Sequence, residues 1–217
     1  MPVIIEGKHQ FEFPDADGWY AFKYDEIDAA KSGFYRERIE TIKWKGEDDK
    51  LDEDGKLREC GKPDEGLKGV DIVAGIRPVM DDLTLLEVKD FREDEPGLRA
   101  KVRTGEIPTE ILLKAIHTWG ALCLGARHGD GLLLPDLRAA ILRPPAQLRV
   151  VLFLAQTPIR QSPNERDTRQ KEDARRKQRL GILTKMQNHL KPLGIKSHLA
   201  DMGDLPARCG WTVTELP

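Results

Sequence analysis

Two carboxylates and one amine stand in two short apolar segments, and together they have the chemistry of a metal-dependent hydrolytic site. Asp71 lies in the apolar run 69–75, and Glu87 and Lys89 lie in the run 83–91. Carboxylate oxygens are the ligands that Mg²⁺ prefers, alongside waters and substrate phosphate. A neighbouring lysine can position or deprotonate an attacking water and offset phosphate charge. Charged groups on apolar segments are costly unless a ligand compensates them, which favours a site.

The spacing of these residues predicts that they converge. Side chains alternate along a strand, so Glu87 and Lys89 point to the same face. If the hairpin pairs Gly75 with Leu83, Asp71 lies directly opposite Glu87. Cross-strand neighbours have Cβ atoms about 4.5–5.5 Å apart. The sequence therefore predicts one acid pair with a lysine beside it.

Secondary structure is read from hydrophobic periodicity and from turn residues. The runs 69–75 and 83–91 have the nearly continuous apolar character of strands covered on both faces. Residues 107–127 repeat apolar positions at helical spacing, and 19–42 does so in part. The remaining predicted elements are short β-like runs within 3–13, a strand at 149–156, a long polar helix from Glu165 to about Leu190, and late strands at 195–199 and 211–213. This order predicts an α/β fold, a three-layer α/β/α sandwich around a mixed central sheet of about four to five strands.

The 217 residues suit a single domain spanning 1–217. Within it, an acidic insertion at about 45–66 and the long polar helix at about 164–190 stand out by composition. The acidic composition of the insertion predicts a solvated loop or an extended hairpin.

Composition limits the classes of function. The net charge of −2 gives no global attraction to nucleic acid, so such binding must rest on local basic patches. The three cysteines lack CxxC spacing, which argues against a zinc site or a disulfide framework and suits a reducing cytosol. Neither a signal peptide nor an apolar run of membrane-spanning length is visible. We therefore expect a soluble cytoplasmic protein.

Two basic segments are candidate phosphate contacts. The first comprises Arg92, Arg99, Lys101 and Arg103, just after the second apolar run. The second is the stretch 165–179, with seven bases against four acids. Such bases can neutralise phosphates and give salt-dependent binding. Mixed charges also stabilise an exposed helix without any partner, and a solvated surface is an equal alternative for the first segment.

The motif resembles that of the PD-(D/E)xK, or restriction-endonuclease-like, superfamily: Val70-Asp71, fifteen residues, then Glu87-Val88-Lys89. Within it, the chain resembles a bacterial group with a "W…KYD…FYR" start, a "GVDIVA" strand and an "EVKDFR" strand. The corresponding pieces here are Trp19, Lys23-Tyr24-Asp25, Phe34-Tyr35-Arg36, 69–74 and 87–92. Val70 replaces the proline of the superfamily's name.

The resemblance implies a set of roles. Asp71 and Glu87 would bind Mg²⁺, for which Mn²⁺ can substitute, and Lys89 would be the catalytic lysine. The superfamily often adds an acid from its first helix, for which Glu37 or Glu40 is the candidate here. The implied activity is Mg²⁺-dependent hydrolysis of phosphodiester bonds in nucleic acid, with DNA the expected substrate.

Several biological roles stay open. A restriction or phage-defence nuclease, supplied with its target by a protein partner, is the leading interpretation. A non-catalytic binding or scaffold subunit of a defence or repair complex, on the same fold, is the alternative. A third interpretation is a transposition or junction-cutting enzyme, which would require a homodimer to cut two strands. No membrane association is expected.

Overall fold

A computed structural model describes residues 2–25, 68–143, 147–206 and 209–217. The candidate acids Glu37 and Glu40 and the acidic insertion at 45–66 lie outside these residues, as does most of the stretch 19–42 for which partial helix is predicted.

Eight strands and four α-helices make up the described part of the chain. The strands are β1 (Val3–Glu6), β2 (His9–Glu12), β3 (Trp19–Lys23), β4 (Ile72–Ile76), β5 (Asp82–Asp90), β6 (Gln147–Ala155), β7 (Lys196–Ala200) and β8 (Thr212–Glu215). The helices are α1 (Glu95–Thr104), α2 (Glu106–His128), α3 (Pro135–Leu142) and α4 (Glu165–Leu190).

The central sheet has five strands in the order β3-β4-β5-β6-β7. β3 and β5 pair antiparallel to β4, whereas β5, β6 and β7 run parallel. The expected mixed sheet is confirmed. Gly75 pairs with Leu83, as the sequence predicts, so the register brings Asp71 beside Glu87 at one edge of the sheet.

The first strand of this sheet corrects the sequence-based prediction of partial helix from residue 19. Trp19–Lys23 is a β-strand, and its aromatic residues are of the type enriched in strands. Trp19 and Ala21 pack into one core, while Tyr20 and Phe22 pack against the other. This alternation has a period of two residues. The helical spacing of the apolar positions from residue 27 onward led instead to the prediction of partial helix.

Two cores lie on opposite faces of the central sheet. All four described helices pack on one face, where their residues join the odd-numbered side chains of β5. The other face is covered by a three-stranded antiparallel sheet, β1-β2-β8, through Phe11, Phe13 and Trp211. The described layers are therefore helices, five-stranded sheet and three-stranded sheet. Among the described residues, a β layer covers the face on which a second helical layer is expected.

Two short helices, α1 and α3, were not predicted from hydrophobic periodicity. In α1, Pro96 occupies the first turn, where proline is tolerated, and Asp94 caps the helix by accepting from Gly97 N–H at 2.9 Å. Only Leu98 of α1 is buried, so the helix has almost no apolar stripe. α3 spans just eight residues. The two long helices, α2 and α4, agree closely with prediction.

Candidate active site

Asp71, Glu87 and Lys89 meet at the end of the central sheet where the parallel strands β5, β6 and β7 terminate. Asp71 directly precedes β4, and Glu87 and Lys89 lie near the end of β5. All three side chains lie on the face that the helices cover. The residue exposure is 1% for Glu87 and 6% for Asp71. The two carboxylates are therefore almost completely withdrawn from water.

Backbone contacts hold Asp71 in position. Its Oδ2 accepts a hydrogen bond from the Val88 N–H at 2.6 Å, across the β4–β5 ladder. Its carbonyl accepts from the Tyr24 N–H at 2.8 Å, at the end of β3. On the helix side, Thr118 Oγ1 accepts from the Val70 N–H at 2.9 Å. β3, β5 and α2 thus all converge on the residue pair 70–71.

Lys89 bridges the strand and the helix layer. Its Nζ lies 3.2 Å from Glu87 Oε1 and 2.6 Å from Glu110 Oε1 on α2. Burial by itself lowers the pKa of Lys89, but the negative charges of Glu87 and Glu110 outweigh it and raise the pKa above its ordinary value. Lys89 is therefore an ammonium at neutral pH, suited to stabilising negative charge.

A second lysine, which the sequence analysis did not single out, completes the network. Lys114 of α2 places its Nζ 2.5 Å from Glu87 Oε1 and 4.0 Å from Asp71 Oδ1. Glu110 and Lys114 are four residues apart, so they lie on the same side of the helix. The available signal was a lysine on the apolar stripe of a predicted helix, between the buried residues Ile111 and Thr118.

The acids have strongly perturbed protonation. Burial, followed by the nearby Glu87 charge, raises the pKa of Asp71 to about 8 against opposition from Lys114. Burial likewise raises the pKa of Glu87, although Lys114 and Lys89 oppose it. Asp25, hydrogen-bonded to Asp71, also has a raised pKa, because of burial and of the Glu6 charge. Three neighbouring acids therefore resist ionisation.

Glu110 differs from the other acids. Burial would raise its pKa, but the hydrogen bond and the charge of Lys89 reverse the effect and lower the pKa. Glu110 is consequently an anion that holds Lys89 in place.

The donor chemistry at Asp71 and Glu87 fits a hard divalent cation. Glu87 Oε2 is buried and has no hydrogen-bond partner among the described residues, so one carboxylate oxygen is available as a ligand. Within the same described ranges, no three His, Cys, Asp or Glu side chains are grouped as a metal cluster. The Lys114 ammonium lies against both acids and supplies the compensating positive charge. A metal ligated by Asp71 and Glu87 would share this space with Lys114.

A cleft of about 430 Å³ is lined by Glu110 and Lys114, which contact Lys89 and Glu87, whereas Asp71, Glu87 and Lys89 do not line it themselves. We call it the site cleft. It lies between the end of α1 and the first half of α2. Its basic lining residues are Lys68, Lys101, Lys114 and His117. Two acids, Glu106 and Glu110, also line it, and Glu106 pairs with Lys101.

The four predicted basic contacts after β5 do not form one cluster. Arg92 forms ion pairs with Asp90 and with Glu215 of β8. Arg99 pairs with Glu95 at 3.1 Å, Lys101 pairs with Glu106 at 2.7 Å, and Arg103 is exposed on α1. Only Lys101 lines the site cleft.

Comparison with protein-family models, with curated proteins and with solved structures finds no match for this chain. The geometry of the site is therefore the basis for a functional proposal. None of the described helices has the length and apolar character needed to cross a membrane.

Proposed function

We propose that this protein is a Mg²⁺-dependent nuclease of the PD-(D/E)xK type, with DNA as its expected substrate. The observation that carries the proposal is the meeting of Asp71, Glu87 and Lys89 on one face of the sheet. Carboxylates can hold a metal ion that polarises a phosphate, and an adjacent ammonium can stabilise the negative charge that develops on it.

The chemistry divides among named groups. Asp71 and Glu87 would hold the ion, which when bound polarises the phosphate and lowers the pKa of a coordinated water. Lys89 acts as a fixed positive charge, since Glu87 and Glu110 raise its pKa. In this role it stabilises the negative charge that develops on the phosphate. Glu110 orients Lys89 through the 2.6 Å contact.

The burial of charged groups favours a functional site independently of the motif. Burying charge costs several kcal/mol per ion, and hydrophobic replacements are often as stable as a buried ion pair. Glu87 and Lys114 are nonetheless both buried, on strands and helices otherwise rich in apolar residues. Such an arrangement is expected where a site is preorganised for function.

The test is a cleavage assay on single-stranded, double-stranded and nicked DNA and on RNA, with Mg²⁺, Mn²⁺ and Ca²⁺ in turn. We expect wild-type protein to cut with Mg²⁺ or Mn²⁺. Lys89→Ala should lower the rate by about 10²-fold or more, as loss of a charge-stabilising group does. Metal binding, followed by calorimetry, should persist in this variant.

Lys196→Ala is the matched control, because Lys196 is an exposed lysine of β7, which β6 separates from β5, and it donates to Gln147. Cleavage that is equal in wild type, Lys89→Ala and Lys196→Ala would exclude the role proposed for Lys89. Cleavage of no substrate with any metal would exclude the nuclease.

A non-catalytic binding or scaffold subunit is the second candidate, and one observation favours it. Lys114 and Lys89 already compensate Glu87 without any metal. In such a protein, Mg²⁺ and Mn²⁺ would leave the melting temperature unchanged, whereas a metal-binding nuclease would be stabilised. A role in restriction or phage defence, a protein partner and a homodimer remain proposals from the resemblance.

A further inference from the structure

A second cleft, of about 670 Å³, lies at the carboxyl ends of the parallel strands β5 and β6. We call it the distal cleft. Its walls are the start of α1, which follows β5, the loop 157–160 after β6, and the middle of α4. Crevices at the carboxyl ends of strands are where open α/β sheets commonly bind ligands.

The distal cleft concentrates positive charge. Its lining contains four bases and one acid, namely Arg99, Arg160, Lys171, Arg175 and Glu95. The whole chain has a net charge of −2, so this excess is local. Clefts lined by one sign of charge focus the field and attract ions of the opposite sign.

Part of this charge has no counter-ion among the described residues. Arg99 pairs with Glu95, and Arg175 donates to the Thr157 carbonyl at 2.6 Å, which fixes its guanidinium without neutralising it. Arg160 and Lys171 are exposed and form no ion pair within the part of the chain that the structure describes. The distal cleft therefore carries positive charge that ion pairs among the described residues do not balance.

The helix α1 connects the distal cleft with the site cleft. Arg99 lines the distal cleft and Lys101 lines the site cleft, and residues two apart point to different sides of a helix. Glu87 and Lys89 lie near the end of β5, the strand whose carboxyl end adjoins the distal cleft.

We propose that the distal cleft binds the phosphodiester backbone of a nucleic-acid strand whose reacting phosphate lies at Asp71, Glu87 and Lys89. This inference rests on the proposed nuclease function. None of the residues that line the distal cleft is aromatic, so bases have no stacking partner there. Contacts from guanidinium and ammonium groups alone make the binding independent of base sequence.

The experiment measures affinity for a labelled 20-nucleotide single strand in EDTA, where no cleavage occurs, at several salt concentrations. The double variant Arg160→Gln/Lys171→Gln removes two charges from the distal cleft. Each lost phosphate contact reduces the slope of log K against log salt by about 0.7, so we expect a slope shallower by about 1.4. Affinity at about 0.1 M salt should fall by tenfold or more.

Arg166→Gln/Lys177→Gln is the matched control, because it removes two exposed charges from α4 that do not line the distal cleft. It should change the slope by less than half as much. An equal loss of affinity and of salt slope in both double variants would overturn the inference, since it would show that the strand is attracted to the charges of α4 in general. Equally tight binding of a dinucleotide or of inorganic pyrophosphate would also overturn it.

The two proposals fail in distinguishable ways. Suppose that wild type cuts no substrate and that, of the two double variants, only Arg160→Gln/Lys171→Gln has a shallower slope of log K against log salt. The nuclease proposal then fails, and nucleic-acid binding by the distal cleft stands. If wild type cuts and both double variants bind like wild type, the distal-cleft proposal fails alone.

Discussion

The buried ammonium of Lys114 lies between α2 and the acid pair, 2.5 Å from Glu87 Oε1 and 4.0 Å from Asp71 Oδ1. With Lys89 it gives Glu87 two cationic neighbours. Buried ions are tolerated only when they are paired, so Lys114 allows the acids to exist in the absence of metal. Its removal leaves Glu87 paired with Lys89 alone, and a proton or a metal would offset the positive charge that is lost.

Lys114→Met should therefore destabilise the protein in EDTA at pH 7 by about 3 kcal/mol, the scale expected for breaking a buried pair. The loss should shrink with added Mg²⁺ or on acidification, because either offsets the positive charge that the substitution removes. Urea unfolding with and without Mg²⁺ measures this. Lys101→Met, which breaks a partly exposed pair with Glu106, should cost less than about 1 kcal/mol in both conditions.

The raised pKa of Asp71 makes stability depend on pH. Its pKa of about 8 in the folded state lies above the ordinary 3.8, so the native protein binds this proton more tightly than the unfolded chain does. Asp71 therefore contributes stability below about pH 4 that is lost progressively as the pH rises to about 8.

In EDTA, Asp71→Asn should be more stable than wild type at pH 9 by up to about 6 kcal/mol, since the pKa is raised by about four units and one unit corresponds to about 1.4 kcal/mol. The difference should narrow towards pH 4. Urea unfolding at several pH values measures it, and the exposed Asp81→Asn should follow the wild-type curve. A pH-independent difference would contradict the assignment to Asp71.

At the scale of elements, the β4–β5 register and helix α2 position the site together. β5 supplies Glu87 and Lys89, while α2 supplies Glu110 and Lys114 from one side of the helix. On the opposite face of the central sheet, Trp211 is buried just before β8, and the preceding Gly210 lies against the Trp19 ring. Packing there requires glycine at position 210, which has a φ of +72°.

Gly210→Ala should destabilise the protein by about 2–4 kcal/mol. A Cβ atom would lie 2.9 Å from Trp19 Nε1 and 3.4 Å from two ring carbons, in addition to the strain of positive φ. Gly194→Ala isolates the strain, because Gly194 has the same φ and a Cβ atom added there would meet no atom within 4 Å. Thermal unfolding should show the larger loss for Gly210→Ala, and equal losses would exclude the Trp19 contact as its cause.

At the scale of the whole molecule, the proposed Mg²⁺ site would link metal binding, protonation and stability. Mg²⁺ requires ionised carboxylates, but Asp71 and Glu87 both have raised pKa values in the metal-free protein. Binding of the proposed ion would therefore release protons. It would also stabilise the fold, because the unfolded chain lacks the site.

Mg²⁺ at a hundred times its dissociation constant should add about 2.7 kcal/mol to the unfolding free energy. The affinity should increase from pH 6 to pH 8, with proton release visible as a dependence of the calorimetric heat on the buffer. Glu87→Gln should lose both effects, whereas Lys196→Ala should retain them. A pH-independent affinity would contradict the coupling to Asp71 and Glu87.

The local pattern of the sequence determined the elements that bear the motif. Apolar runs with interrupting turns specified β4, β5, β6 and the long helices, because periodicity records which face of an element is buried. The hairpin register followed from the same pattern, since a slip of one residue would turn Asp71 away from Glu87. The meeting of the two acids and Lys89 was therefore predictable before any coordinates.

Only the tertiary structure decided what surrounds that motif. Lys114 and Glu110 reach the site from a helix more than twenty residues away along the chain, and Asp25 reaches it from just after β3. The three-stranded sheet joins the first strands to β8, at the other end of the sequence. Periodicity carries no information on which distant segments pack together, because burial of an apolar face is satisfied by any partner of suitable shape.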